Sequence, residues 1–248
     1  MLHVKKGKRM DLLGVIFPVK CPVCDEIVGF NKGLICRKCK NKLEYIKEPR
    51  CKKCGKKVYG DMEEYCMDCI KTVHYFDMGV SLINHKGVGS QSVYRIKYFN
   101  KREYVRFYAR ELVRNNIKLI WSWKIDLIIP VPLSFEKKIK RGFNQAGLLA
   151  GDISKILNIQ MDEYLLERSR NTRPLKEMGR KERKKALEKA FKINKFIKKF
   201  RYKNKLPKRV LIVDDIYTTG NTIDACAKVL KEHGVKKVFF ITISNGKA

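Results

Sequence analysis

The chain has 248 residues, a length typical of one or two domains. Hydrophobic residues make up 44% of it, which excludes a wholly disordered chain, and 56 Lys and Arg against 25 Asp and Glu give a net charge of +31. No apolar run approaches the ~20 residues of a membrane-spanning helix. The run at 12–19 is interrupted by Pro18 and lacks a cleavage site, so we expect a cytoplasmic protein without a membrane span.

Eight of the nine cysteines form four Cys-x-x-Cys pairs that recur every 15 residues. Each pair places two thiolates on one tight turn, which is half of a tetrahedral zinc site, so four pairs predict two structural zinc ions. Disulfides are the alternative, but nothing indicates secretion, and cytosolic thiols stay reduced. The predicted zinc ligands are Cys21, Cys24, Cys36, Cys39, Cys51, Cys54, Cys66 and Cys69.

Residues 1–74 are predicted to form a small zinc-ribbon-like module that contains these cysteines. The segment is too short and polar for a hydrophobic core of its own, so the metal would supply the folding free energy. Ligation by consecutive pairs is the simplest arrangement, and an interleaved arrangement stays open. His74 is a substitute ligand to consider, and Cys226, on an apolar helical stripe, is predicted to be a buried structural thiol.

Residues 75–248 show an alternation of strands and helices that predicts an α/β domain with a parallel sheet flanked by helices. Ligands bind such sheets at the carboxyl ends of the strands. The predicted elements are a strand at 125–131, a helix at 142–157, a strand at 210–213, a helix from about 222 to His233 with Gly234 as its C-cap, and a strand at 238–243.

The segment 210–222 carries the strongest chemical signal. Four apolar residues lead to Asp214 and Asp215, and a loop then opens a helix. The N–H groups and hydroxyls of such a loop form an anion cradle, and carboxylates beside it bind sugar hydroxyls or act with Mg²⁺. A sugar phosphate is therefore the predicted ligand, and no nucleoside triphosphatase loop is present. The cradle residues are Thr218, Thr219, Gly220, Asn221 and Thr222.

These residues resemble the 5-phosphoribosyl-1-pyrophosphate (PRPP) motif of type I phosphoribosyltransferases. More narrowly, the chain resembles the ComF family, which joins an N-terminal zinc module to such a transferase domain and is associated with DNA uptake in competent bacteria. The match continues in Ile-Lys-Tyr at 96–98, Pro-Val-Pro at 130–132, Arg-Gly-Phe-Asn-Gln-Ala at 141–146 and Ala190-Phe191.

The resemblance implies roles for individual residues. Asp214 and Asp215 would contact the ribose hydroxyls, residues 218–222 the 5-phosphate, and the loop with Val131 the pyrophosphate, with Mg²⁺ bound alongside. Arg141 would assist there as a fixed cation. Asn144 and Gln145 are equally suited to fixing a helix start. The segment 172–187 resembles the family's flexible hood but departs from its usual pattern, so the resemblance does not identify the acceptor.

The segment 168–209 has 19 Lys and Arg but only three acids, about half of the net charge. This concentration predicts an anionic partner, such as single-stranded DNA, although a solvated face is the alternative. Phe196 and Phe200 would stack on bases or, as we expect, lie in the core. The predicted phosphate-contacting residues are Lys198, Lys199, Arg201 and Lys203.

Two functions remain open at this point. The first is a PRPP-dependent transferase with an unidentified acceptor. The second is a non-catalytic competence protein that binds single-stranded DNA and uses the transferase fold only to bind a ligand. Other competence proteins are further candidate partners under either hypothesis.

Overall fold

A computed structural model describes residues 18–29, 33–60, 63–169 and 190–246. The expected hood at 172–187 and the start of the apolar run at residue 12 lie outside the described residues. The strands are β1 (Met78–Asn84), β2 (Leu127–Pro130), β3 (Leu166–Arg168), β4 (Phe191–Ile193), β5 (Arg209–Tyr217) and β6 (Lys237–Asn245). The helices are α1 (Arg37–Lys40), α2 (Met67–Lys71), α3 (Gly87–Tyr98), α4 (Tyr104–Ser122), α5 (Phe135–Arg141), α6 (Gln145–Leu157), α7 (Lys195–Tyr202) and α8 (Asn221–Glu232).

A parallel sheet with the strand order β1-β6-β5-β2 forms the centre of the molecule, as predicted. Its strands are nearly continuous apolar runs because both faces are covered. Side chains alternate along β5, so that Val210 and Ile212 face one core while Leu211 and Val213 face the other. Helices α3, α4 and α6 pack mainly on the second of these faces, and α8 packs on the first.

Strand β5 is longer than the sequence indicated, because it runs to Tyr217 rather than ending at Val213. Its pairing with β6 continues through Asp214↔Thr242 and Tyr217↔Asn245. Both carboxylates therefore belong to a strand that is held on its β6 side. The helix expected at 142–157 begins at Gln145, because Gly142, in the left-handed conformation, ends α5 and Asn144 caps α6.

The cysteine-containing segment packs directly against the α/β part of the chain. Val23 and Leu43 join the core beside α3 and α4, whereas Val58 joins the opposite core. The N–H of Ile46 donates to the Leu82 carbonyl at 2.9 Å along β1. The segment thus obtains its apolar packing from the sheet, and it covers an edge strand that would otherwise offer unpaired backbone groups. The boundary expected between residues 74 and 75 stays a prediction.

Across the part of the chain that the structure describes, no helix combines the length and the apolar character needed to cross a bilayer.

Candidate functional site

The eight paired cysteines gather into two groups of four, each with its sulfur atoms within 4.8 Å of one another. The Sγ atoms of Cys24 and Cys36 are 3.7 Å apart, and those of Cys54 and Cys66 are 3.6 Å apart. A tetrahedron with Zn–S bonds of ~2.3 Å has edges of about 3.8 Å, so both groups fit a zinc ion. Each group combines consecutive pairs, which is the simplest of the predicted arrangements. No disulfide joins any of the nine cysteines, all of which lie within the described residues.

His74 is not positioned as a zinc ligand. Its Nδ1 atom lies 2.5 Å from Asp224 Oδ2, in the first turn of α8. The two zinc groups are complete with four sulfur atoms each and leave no open position for catalysis. Cys226 is fully buried on the core face of α8, as expected for a structural thiol.

The carboxylates of Asp214 and Asp215 lie near the carboxyl end of β5, where the sheet meets α3. Asp214 Oδ1 accepts the N–H of Asp215 at 2.8 Å, and Asp215 Oδ2 lies 3.0 Å from Lys97 Nζ. Burial, followed by the charge of Asp215, raises the pKa of Asp214 to about 7. The site therefore holds one carboxyl group that titrates near neutral pH and one that is ion-paired.

Cations surround these carboxylates. Arg168, at the end of β3, is near enough to Asp214 for their charges to interact, and burial lowers its pKa. Its Nε atom is buried and has no hydrogen-bond partner among the described residues. The pKa of Lys137 on α5 is lowered by partial removal from water and then by the charges of Arg168, Arg141 and Lys97. This crowding of positive charge favours a polyanionic ligand.

The predicted anion cradle, residues 218–222, forms the turn between β5 and α8. Gly220 has φ +79° and precedes Asn221, the first residue of α8. A Cβ atom on Gly220 would lie 2.6 Å from the Tyr217 hydroxyl, so that only glycine fits both the conformation and the space. The first N–H groups of α8 have no intrahelical acceptor and are available to an anion.

The loop after β2 is attached to this edge of the sheet. The N–H of Val131 donates to the Val213 carbonyl at 2.9 Å, which extends the β2–β5 pairing. Asn144 donates through Nδ2 to the Val131 carbonyl at 3.1 Å, and its Oδ1 accepts the Ala146 N–H at 3.2 Å. Asn144 therefore fixes both the helix start and the loop. Gln145 is buried, and its Nε2 lacks a hydrogen-bond partner in the described ranges.

Arg141 ends α5 and reaches towards α3. Its guanidinium carbon lies 5.1 Å from the centre of the Tyr98 ring, and Nη2 is 3.5 Å from the Tyr98 hydroxyl. Its charge acts on Lys137, so it belongs to the same group of cations. No hydrogen bond or ion pair of the described residues joins it to Asp214 or Asp215.

Sequence reasoning missed three site residues. Lys97 stands in the Ile-Lys-Tyr motif and Arg168 opens the basic segment, so both had a signal but no assigned role. His85 follows β1, a strand that the sequence did not predict. Its Nδ1 atom lies 2.9 Å from Ser244 Oγ, and burial and the charge of Lys97 lower its pKa. Locating the end of β1 is the step that would have identified it.

The predicted nucleic-acid residues lie on α7 and at its C-cap. Phe196 and Phe200 are 66% and 62% exposed, with ring centres 4.3 Å apart, so the expectation that they lie in the core is wrong. Arg201 differs from its neighbours because it pairs with the buried Asp162 at 3.0 Å. Phe196 lies near His233, at the far end of α8 from the anion cradle. Within the described ranges, no ion pair involves Lys198, Lys199 or Lys203, which lie on α7 and at its C-cap.

Comparison with known proteins agrees with both parts of the fold. Residues 12–70 match the double zinc ribbon domain family, and residues 144–248 match the phosphoribosyl transferase domain family. The chain is 34% identical to Competence protein F of Haemophilus influenzae over 113 residues, which is 46% of this chain and 47% of the relative.

Two further relatives carry related names. The chain is 33% identical to DNA utilization protein YhgH of Escherichia coli K12 over 116 residues, 46% of each chain. It is 33% identical to Competence protein ComFC of Streptococcus pneumoniae over 118 residues, 47% of each chain. These alignments span about half the length of the relatives. The chain is homologous to proteins named competence protein F, ComFC and YhgH, and it combines a double zinc ribbon domain with a phosphoribosyl transferase domain.

Proposed function

We propose that this protein binds PRPP with Mg²⁺ at the carboxyl ends of β2 and β5 and serves DNA uptake from the cytoplasm. One observation carries the proposal: adjacent carboxylates, Asp214 and Asp215, stand directly before a glycine-containing turn at a helix start. The surrounding Lys97 and Arg168 supply the positive charge that phosphates require. Relatives named for competence and for DNA utilization support the cellular role.

Each part of PRPP has a matching group in this arrangement. The N–H groups and hydroxyls of residues 218–222 would hold the 5-phosphate, as helix starts commonly do. Asp214 and Asp215 would accept hydrogen bonds from the ribose hydroxyls. Because Lys97 now neutralises Asp215, it would shift its contact towards a phosphate when the ligand arrives. Mg²⁺, when bound, would add charge to offset the pyrophosphate.

The pyrophosphate side is the more cationic side. The charges of Arg168 and Lys137 act on the carboxylates, the charge of Arg141 acts on Lys137, and the Val131 loop offers backbone groups. In transfer, the bond from C1 to the pyrophosphate oxygen breaks, and the acceptor donates an electron pair to C1. Positive charge then develops on the sugar and negative charge on the leaving group. The cations of this chain would stabilise that leaving group in place.

Isothermal titration calorimetry with PRPP and Mg²⁺ tests the site. The variant Asp214→Asn/Asp215→Asn keeps the side-chain volume but removes both charges. It should bind at least tenfold more weakly, since charged hydrogen bonds contribute ~1.5–3 kcal/mol each. Asp152→Asn on α6 is the matched control and should bind as the wild type does. Equal affinity for the wild type and the double variant would refute the assignment.

A second measurement separates an enzyme from a ligand sensor. The zinc-loaded protein is incubated with PRPP, Mg²⁺ and a panel of nucleobases and oligonucleotides, and released pyrophosphate is measured. Acceptor-dependent release indicates a transferase, and PRPP binding without release indicates a sensor.

Single-stranded DNA binding by α7 is the second candidate function. The exposed Phe196 and Phe200 rings lie 4.3 Å apart between lysines, and the Lys199 ammonium is 5.6 Å from the centre of the Phe200 ring. Paired exposed aromatics among cations are the usual means of holding stacked bases and a phosphate backbone. Because α7 lies away from the anion cradle, DNA and PRPP would occupy separate surfaces. Contacts with other competence proteins stay a prediction.

A further inference from the structure

A groove of about 930 Å³ lies between α4 and the first zinc ribbon, which is the segment at 20–40 that contains the first group of four cysteines. It borders the core that α3, α4 and α6 cover. None of the described residues that line it belongs to the carboxylate site, to the anion cradle or to α7. The groove is therefore a separate feature that the proposed function does not use.

The floor of this groove is apolar. Val28 and Phe107 are buried members of the core, and Leu34 and Ile35 are half-buried and pack against that core. Ile27 also lines the groove, yet it is 61% exposed. An antiparallel bridge within the ribbon holds the backbone of Ile27, so this part of the lining is preformed. Exposed aliphatic surface that continues an apolar floor is typical of a contact site for a partner.

Positive charge lines the same groove. Three cations lie on α1 and two on α4, namely Arg37, Lys38, Lys40, Arg110 and Arg114. Arg114 pairs with Glu111 at 2.5 Å, and Glu111 also accepts the Tyr45 hydroxyl at 3.3 Å. No ion pair between described residues involves the other four cations, and all four are exposed. The groove therefore presents positive charge for which its own lining has no counter-charge.

These two features define the chemistry of a complementary ligand. The apolar floor suits aliphatic or phenyl side chains, and the exposed, unpaired cations attract carboxylates. A peptide segment with Asp and Glu between regularly spaced apolar residues supplies both. Amphipathic segments commonly bind grooves in this way, with apolar anchors at helical spacing.

Two other occupants fit the groove less well. Single-stranded DNA binds where exposed aromatic faces lie among cations. Phe107, the one aromatic residue among the described residues of the lining, is 3% exposed and offers no such face. A second copy of this chain carries the same net charge of +31, so it would be repelled from a groove that is itself cationic.

We propose that this groove docks an acidic segment of a partner protein. Apolar side chains of the partner would pack on Ile27, Leu34 and Ile35, and its carboxylates would pair with the exposed cations of α1 and α4. Because α1 belongs to the first zinc ribbon and α4 to the α/β part, the surface exists only when the ribbon is folded against that part. Neither PRPP nor DNA is needed for this contact.

The test uses the full-length, zinc-loaded protein and a fluorescein-labelled, twelve-residue peptide of Glu, Asp and Leu, with leucines at helical spacing. Binding is followed by fluorescence anisotropy at near-physiological salt. The variant Lys40→Glu/Arg110→Glu should bind the peptide at least about tenfold more weakly, since like charges across a contact are repulsive. Ile27→Ser should weaken binding about fivefold through the loss of apolar contact.

Arg110→Glu alone changes no residue next to a zinc ligand, so it tests the groove even if Lys40→Glu disturbs the ribbon. It should also weaken binding, and a zinc count should match the wild type. Lys124→Glu/Lys155→Glu is the matched control, because it reverses two exposed charges outside the groove and should bind within about twofold of the wild type. Peptides with Ser for Leu, or with Gln and Asn for the acids, should bind more weakly than the parent peptide.

Photo-crosslinking gives an independent measurement on the wild type. A benzophenone group in place of one leucine of the peptide should form adducts on Ile27, Leu34 or Ile35, found by mass spectrometry. The proposal is overturned if the peptide does not bind at millimolar concentration, or if Arg110→Glu and the wild type bind it equally.

Three further results would assign the groove to another occupant and would equally overturn the proposal. Displacement of the peptide by a ten-residue oligothymidylate, with loss of oligonucleotide binding in Arg110→Glu, indicates nucleic acid. A dimer in sedimentation velocity that Arg110→Glu abolishes indicates a second copy. Peptide binding that appears only in Leu12→Ser/Leu13→Ser indicates the chain's own apolar run.

Discussion

His74 and Asp224 are 150 residues apart in the chain, yet His74 Nδ1 lies 2.5 Å from Asp224 Oδ2. The N–H of Tyr75 donates to the other carboxylate oxygen of Asp224 at 2.8 Å. The His74 ring stacks on Phe76 with centres 4.6 Å apart. Asp224 lies in the first turn of α8, directly after the anion cradle. The segment that leaves the second zinc ribbon therefore holds the start of the helix on which PRPP binding is proposed to depend.

Substitution of His74 by Ala should weaken PRPP binding about fivefold without loss of zinc. The expected cost reflects the loss of a hydrogen bond to a charged group, ~1.5–3 kcal/mol, part of which appears as a less ordered helix start. His233→Ala is the matched control, since His233 lies at the opposite end of α8 and its Nδ1 contacts the Val229 carbonyl at 2.8 Å. Calorimetry and metal analysis on both variants check this, and equal losses of affinity in both would contradict it.

The pairing of the cysteines can be tested by counting zinc. Mass spectrometry under native conditions should find two zinc ions per chain. The double variant Cys21→Ser/Cys36→Ser damages one group and should retain one zinc, whereas Cys21→Ser/Cys51→Ser damages both and should retain none. Interleaved ligation through 21/24 with 51/54 would reverse this result. Cys226→Ser should keep both ions.

A side chain at Gly220 would have two effects, a clash with Tyr217 and strain from the positive φ, and these effects can be measured separately. Gly220→Ala and Gly234→Ala place a side chain at φ +79° and +97°, respectively, so each should reduce the free energy of unfolding by about 1–2 kcal/mol. Only Gly220 has a neighbour in the way, because nothing lies within 4 Å of a Cβ atom on Gly234. We therefore expect a greater loss for Gly220→Ala in urea denaturation, together with weaker PRPP binding. Unchanged PRPP affinity would argue against the cradle.

Binding of PRPP with Mg²⁺ should strengthen as the pH rises from 6 to 8. The pKa of Asp214 is raised to about 7, first by burial and then by Asp215, against the opposing charges of Lys97 and Arg168. Below that pKa, ionising the carboxyl for binding costs up to about tenfold in affinity per pH unit. Phosphate groups of PRPP also titrate near pH 6, so Asp214→Asn is the reference, and its dependence should be shallower.

The same pKa shift predicts a stability profile with a definite sign. Between the ordinary pKa of 3.8 and about 7, the folded protein holds the Asp214 proton and the unfolded chain does not. The free energy of unfolding should therefore fall as the pH rises through this window, and Asp214→Asn should lose this component. Urea titrations of both proteins at pH 5 and pH 7.5 measure it. A wild type and variant with the same pH profile would count against the raised pKa.

Single-stranded DNA binding should depend steeply on salt if α7 holds the strand. The log–log slope is about −0.7 per phosphate contacted, so replacing Lys198, Lys199 and Lys203 by Gln should make it shallower by about 2. Arg201 is left intact because it pairs with Asp162. The variant Lys118→Gln/Lys124→Gln/Lys155→Gln removes the same charge elsewhere and should keep the wild-type slope. Anisotropy titrations of a labelled oligonucleotide would refute the α7 interface if both triple variants match the wild type.

The spacing of residues along the chain was enough to predict which side chains form the two cysteine groups and the carboxylate site. The Cys-x-x-Cys repeats predicted the two groups of four sulfur atoms, because two thiolates on one turn have few other uses in a reduced protein. The run from β5 through Asp214 and Asp215 into α8 was readable for a similar reason: a strand, a turn and a helix start are contiguous in the chain. In both cases the ligands are neighbours in sequence, so folding adds little information about their identity.

Only the tertiary structure decided what surrounds those residues. Lys97 on α3 pairs with Asp215, and Arg168 on β3 and His85 after β1 lie near enough to the carboxylates for their charges to interact. Sequence spacing does not show that residues so far apart in the chain lie together. The exposure of Phe196 and Phe200 was misjudged because a four-residue spacing identifies a shared helix face but not which side of the helix meets the core. The contact between His74 and Asp224, and the groove between the first zinc ribbon and α4, likewise arise because chain segments distant in sequence pack against one parallel sheet.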